Sequence, residues 1–135
     1  MPELTRNQEL MAQAIKNVKN VLAQPEGARK IYGGLCHKFP VLVRTCGLCQ
    51  AVAFIESKRK DGERGIAHQK LTEHVSSVLS ANDFTVNADP SESIACLSVR
   101  DYTRATRILL SAWIYYKRFA ESILGVEAAD QEVSK

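Results

Sequence analysis

Residues 98–125 read SVRDYTRATRILLSAWIYYKRFAESILG, and their spacing decides the fold class. At 100° per residue, Tyr102, Ala105, Leu109, Trp113, Tyr116, Ala120 and Ile123 fall within about 40° of one direction. Ser98 offers a hydroxyl to cap the first turn, Asp101 places a carboxylate near the helix N-terminus, and Gly125 supplies a stop. A long amphipathic helix with one apolar stripe must lay that stripe on other elements.

The rest of the chain has the same period. Thr5 and Gln8 form a capping-box pattern, followed by Met11, Ala14, Val18, Val21 and Leu22 on one predicted face, with Pro25 and Gly27 closing the helix. A shorter helix is expected over residues 28–38, with Ile31 and Leu35 inward. Pro40 then reads as a break. A third helix is expected over residues 41–58, apolar on nearly every side and so placed in the middle of a bundle. A charged loop, KRKDGERG, precedes a fourth helix over residues 66–80, and a short helical piece is expected near residues 92–97. No segment has the period of a strand. The expectation is an all-α fold: one helical bundle of five to six helices over residues 1–125, and a disordered polar tail over 126–135.

With 135 residues, 45% of them apolar and 24% charged, the chain can bury a core without disulfides or metal. It has no run long and apolar enough to span a bilayer. The opening MPELTRNQEL lacks a secretory pattern, so a cytoplasmic location with reduced cysteines is expected. The net charge of +3 is unevenly spread: residues 1–70 hold twelve Lys/Arg against six Asp/Glu, and residues 71–99 hold none against four.

On the wheel of the last helix, Arg100, Arg104, Arg107 and Arg118 all lie within about 40° of the direction opposite the apolar stripe, over about 27 Å of axis. Like charges at this spacing cost a helix roughly 0.2–0.5 kcal/mol per pair. Asp101 is placed to reach Arg104. The plain reading is a solvated face. The sharper one is a row of guanidinium forks for phosphates, with nucleic acid as the polyanion.

Cys46 and Cys49 form a C-x-x-C. Zinc would need Cys36 and His37 folded back onto them, and a redox motif would need a strand before it. Cysteine in an apolar helix also packs as a small hydrophobe, and packing is the expectation here. Arg44, in the same apolar segment, needs either an acid such as Asp101 or Glu56 or an external anion. No spacing of His, Ser, Asp or Glu suggests catalysis, so neither a metal nor another cofactor is expected.

Two blocks carry a resemblance. The first, KFPVLVRTCGLCQAVAFIESK over residues 38–58, contributes Pro40, Leu42, Arg44, Thr45, Gly47, Leu48, Gln50, Ala53 and Phe54. The second, DYTRATRILLSAWIYYKRFAES over residues 101–122, contributes Tyr102, Arg104, Ala105, Thr106, Lys117, Arg118, Phe119, Ala120 and Glu121. Together they resemble the small, all-helical subunit of the type III-B CRISPR RNA-guided effector, the Cmr complex. The pattern is not matched throughout: Thr103 stands where an arginine is frequent, and Tyr115 where tryptophan is usual.

The resemblance implies a non-catalytic subunit in antiviral defence. Such subunits stack with copies of themselves in a minor filament beside the backbone subunits, and help seat guide RNA and single-stranded target RNA. The expected partners are therefore those RNAs, the backbone and large subunits, and other copies of this chain, with no membrane. The residues expected to meet RNA are Arg44, Arg104, Lys117, Arg118, Arg100, Arg107, Gln50 and Lys58. Two other functions compete: a protein adaptor whose arginines meet an acidic protein surface, and a metal or redox protein built on Cys36, His37, Cys46 and Cys49.

Overall fold

Thr5 opens the first helix with the expected reciprocal cap. Its Oγ1 accepts from the Gln8 amide at 3.1 Å, and Gln8 Oε1 accepts from the Thr5 amide at 2.8 Å. In the computed structural model, which describes residues 5–127, six helices follow: α1 (Arg6–Val21), α2 (Glu26–Cys46), α3 (Leu48–Ser57), α4 (Glu63–Ala81), α5 (Pro90–Ala95) and α6 (Val99–Ser122). No strand occurs among the described residues. α6 lies against α1, α2 and α4, while α3 packs on α2, α4 and α5.

The helix boundaries in the middle of the chain differ from the expected ones. Pro40 does not end a helix: α2 runs through it, and the break comes at Gly47. Proline costs an interior hydrogen bond, but Phe39 and Pro40 are both buried here, and their burial offsets that loss. Gly47, at φ 87° and ψ 161°, occupies a region essentially restricted to glycine. It turns the chain directly from α2 into α3. Tyr102 closes the corner, its hydroxyl oxygen accepting the Cys49 amide at 3.0 Å.

The inward face of α1 is Leu10, Ala14, Val18 and Val21. Met11 and Leu22, expected inside, are 41% and 44% exposed, because the face is turned by about one residue toward Leu10. At the other end of the chain, the tail expected from residue 126 begins with a packed residue. Val126 is buried over Gly33, where a Cβ would collide with it, and its carbonyl accepts from the His37 imidazole at 2.8 Å. The rest of that expected tail, residues 128–135, lies outside the described residues.

At the centre, Trp113 stacks on Tyr116 with ring centroids 4.2 Å apart and meets Phe39 at 4.8 Å. A buried polar thread runs beside this stack. Asn17 Nδ2 donates to the Tyr116 hydroxyl at 2.7 Å, and the Tyr32 hydroxyl and His74 Nδ1 lie 2.5 Å apart. Burial, with Lys70 adding to it, pushes His74 down to about 3. The imidazole is therefore neutral near pH 7, and its Nδ1 shares a hydrogen bond with the Tyr32 hydroxyl.

This burial makes stability depend on pH. Between the ordinary histidine value and about 3, the unfolded chain binds a proton at His74 that the folded chain does not. The contribution is complete above the unfolded value and is lost as pH falls, by about 1.4 kcal/mol per pH unit at its steepest. Urea unfolding at pH 7.0, 6.0 and 5.0 should show this decline. His74→Asn, whose amide can pair with Tyr32 as donor or acceptor, should remove about one proton's share of the slope. An unchanged slope would mean that His74 titrates normally in the fold.

Candidate nucleic-acid interface

α6 rests on α1 so that the start of each helix flanks a groove of about 500 Å³. Arg6, Asn7 and Leu10 line one side; Arg100, Thr103, Arg104, Arg107, Ile108 and Ser111 line the other. Leu10 and Ile108 are buried beneath the rim. The lining holds four arginines and no acid. Three of the four arise from the wheel position of the α6 stripe. Arg6 comes from the Thr5 cap, which fixes it as the first residue of α1.

Arg6, Arg100 and Arg107 are exposed and make no ion pair with any described residue. Arg104 differs. Its Nη1 donates to the Asn82 carbonyl at 3.2 Å, and its guanidinium lies 4.2 Å from the Phe84 ring centroid. It thus ties the segment after α4 to α6 by a hydrogen bond and a cation–π contact. Asp101 does not pair with Arg104; its amide instead donates to the Ser98 cap at 3.2 Å.

A family model described as CRISPR-associated protein (Cas_Cmr5) matches residues 6–123. The chain belongs to the Cmr5 family. It is 35% identical over 120 residues to the CRISPR system Cmr subunit Cmr5 of Thermus thermophilus, covering 89% of this chain and 96% of that protein. The crystal structure of a CRISPR-associated Cmr5 family protein, also from Thermus thermophilus, superposes with a TM-score of 0.73 at 34% identity, over 92% of this chain and all of that one.

In this Cmr5-family fold the other sequence-predicted positions lie away from the groove. Arg118 is exposed on α6, about 16 Å along the axis beyond Arg107 at the α-helical rise. Lys117, half-buried, points about 100° away from the stripe. Arg44 is exposed in the last turn of α2, where the helix dipole favours a cation. It forms no buried salt bridge. Glu56, one of its expected partners, instead accepts from the amide and hydroxyl of Ser91 at 2.8 and 2.6 Å. Gln50 is exposed on α3, and Lys58 sits beside Phe54 with its Nζ 5.5 Å from the ring centroid.

The cysteines of this Cmr5-family chain fall into separate surroundings. Because α2 continues through Pro40, Cys36 and Cys46 are about 15 Å apart along one helix, and the fold-back that a shared metal site requires does not occur. Cys36 is buried, and burial pushes its thiol up to about 12. Cys49 is half-buried, in keeping with packing. Cys46, expected to pack as well, is exposed, with its Sγ donating to the Leu42 carbonyl at 3.1 Å. The placement of Gly47 accounts for this. It ends α2 one residue after Cys46, at a corner open to solvent.

Proposed function

We propose that this chain is the non-catalytic small subunit of a type III-B CRISPR (Cmr) effector complex and binds guide and target RNA through its backbone, without reading sequence. The observation that carries this reading is the acid-free groove in which Arg6 joins Arg100, Arg104 and Arg107. Guanidinium groups held on two rigid helices present planar donors to phosphate and release counterions on binding. The name of the Thermus relative, a Cmr subunit, supports placing this chain in such an assembly. There it would stack with copies of itself in a minor filament, beside the backbone and large subunits, in the cytoplasm. Base pairing between guide and target would supply sequence selection.

In this reading, Arg6, Arg100 and Arg107 make the principal phosphate contacts. Arg104 faces the same strand while bracing the α4–α5 segment. Arg44, Arg118 and Lys117 extend the basic surface, and Gln50 and Lys58 contribute further polar contacts. The test is binding of the purified chain to unrelated single-stranded RNAs of one length, titrated with salt. The expected result is similar affinity for each RNA and a linear fall of log K with log salt. Failure to bind any RNA, together with salt-sensitive association with the larger subunits, would replace this reading with the protein adaptor.

A further inference from the structure

The basic surface has a second centre, built around an aromatic ring. Phe54 on α3 is 39% exposed. The ammonium groups of Lys58 and of Lys38 on α2 stand 5.5 and 5.8 Å from its ring centroid. Arg64, in the first turn of α4, accepts a hydrogen bond at its carbonyl from His68 at 2.8 Å. Burial lowers the His68 pKa most, and Arg64, Lys58 and Lys38 add to the shift by their charge. Lys38, on α2, and Lys58, at the end of α3, thus flank one ring. Neither forms an ion pair with a described residue, and Glu56, the nearest acid on α3, is held by Ser91.

A lone surface phenylalanine needs no explanation, and one lysine over its ring would be an ordinary cation–π contact worth roughly 0.5–1 kcal/mol. Two lysines without ion pairs around the same exposed ring repel one another and leave its apolar surface partly wet. A partner that is anionic along its length and carries flat faces would relieve both conditions. Single-stranded nucleic acid has that chemistry, with phosphates for the ammonium groups and a base for the ring.

We propose that Phe54 is a stacking platform for an unpaired RNA base, with Lys38 and Lys58 holding the adjacent phosphates. This inference rests on the RNA-binding reading above and adds a contact through a base, sequence-tolerant because every base has a stacking face. It lies on α2 and α3, elements that do not line the arginine groove, so the two contacts can be perturbed separately.

The test compares a short polyuridine with an abasic ribose-phosphate strand of equal length, using the full chain. Phe54→Ala should weaken polyuridine binding about tenfold and leave abasic binding and the salt slope unchanged. Lys58→Ala should weaken both strands and lower the salt slope by about 0.7. Phe54→Trp should bind polyuridine as the parent does. Its added emission, set against the single native tryptophan, Trp113, should be quenched by polyuridine and not by the abasic strand. If the parent binds RNA but Phe54→Ala binds both strands as the parent does, or weakens both equally, stacking is refuted and the groove reading survives. A parent that binds neither strand overturns both.

Discussion

Reversing Arg6, Arg100 and Arg107 together to glutamate is expected to lower the affinity for single-stranded RNA about a hundredfold or more at low salt. It should also flatten the slope of log K against log salt by about 2, since each lost phosphate contact on a single strand removes about 0.7. All three side chains are exposed and free of ion pairs with described residues, so reversal breaks no internal ion pair and should leave helix content and melting temperature close to the parent's. Arg104 is the wrong member of the set to reverse. Its bond to Asn82 and its place over Phe84 mean that Arg104→Glu would lose fold contacts as well as charge. Arg118→Glu makes a graded comparison. It removes one cation outside the groove, so it should cost less than any groove reversal. Equal losses from Arg118 and from the groove residues would indicate diffuse attraction to net charge rather than a built site.

The largest expected effect on stability is at Trp113. Its side chain is completely buried between Phe39 and Tyr116. Truncation to alanine empties a volume between α2 and α6, and rigid neighbours cannot collapse into it. Trp113→Ala should cost about 3–5 kcal/mol and lower the melting temperature on the order of 10 °C. Trp113→Phe separates the two properties of the indole. The ring nitrogen is buried without a hydrogen-bond partner, so phenylalanine removes an unsatisfied donor while filling most of the space. It should cost less than about 1.5 kcal/mol. If phenylalanine proved as damaging as alanine, the fit of the indole's own shape would outweigh both effects.

What was legible in the sequence follows the range of the forces involved. The caps at Thr5 and Ser98 depend on atoms within three residues, and both form as read. The buried face of α6 was legible for the same reason: one helix carries the whole stripe, and Ala105, Leu109, Trp113, Tyr116 and Ala120 are all inside. Pro40 misleads because its local cost is real, but tertiary packing of Phe39 and the proline ring exceeds it. Once the break is moved to Gly47, the exposure of Cys46 and Arg44 follows. Both were expected in a helix at the middle of the bundle, and both sit at an exposed helix end.

Register between helices was not legible. Met11 and Leu10 are adjacent in the sequence, and only the approach of α6 selects Leu10 as the buried one. The same approach brings Arg6 into the groove. Its position after the cap was readable, but nothing local links it to residues nearly a hundred positions away. Arg104 shows the converse. The wheel placed it correctly on the stripe, yet its hydrogen bond to Asn82 depends on where the segment after α4 runs.

The most direct measurement is ultraviolet crosslinking of a tagged assembly purified from cells, with the RNA-bearing peptides of this chain identified by mass spectrometry. The expected result is crosslinked nucleotides on peptides from the start of α1 and the first half of α6, where Arg6, Arg100 and Arg107 face one another across the groove. An assembly that contains RNA and this chain, with crosslinks confined to the other subunits, would contradict the account.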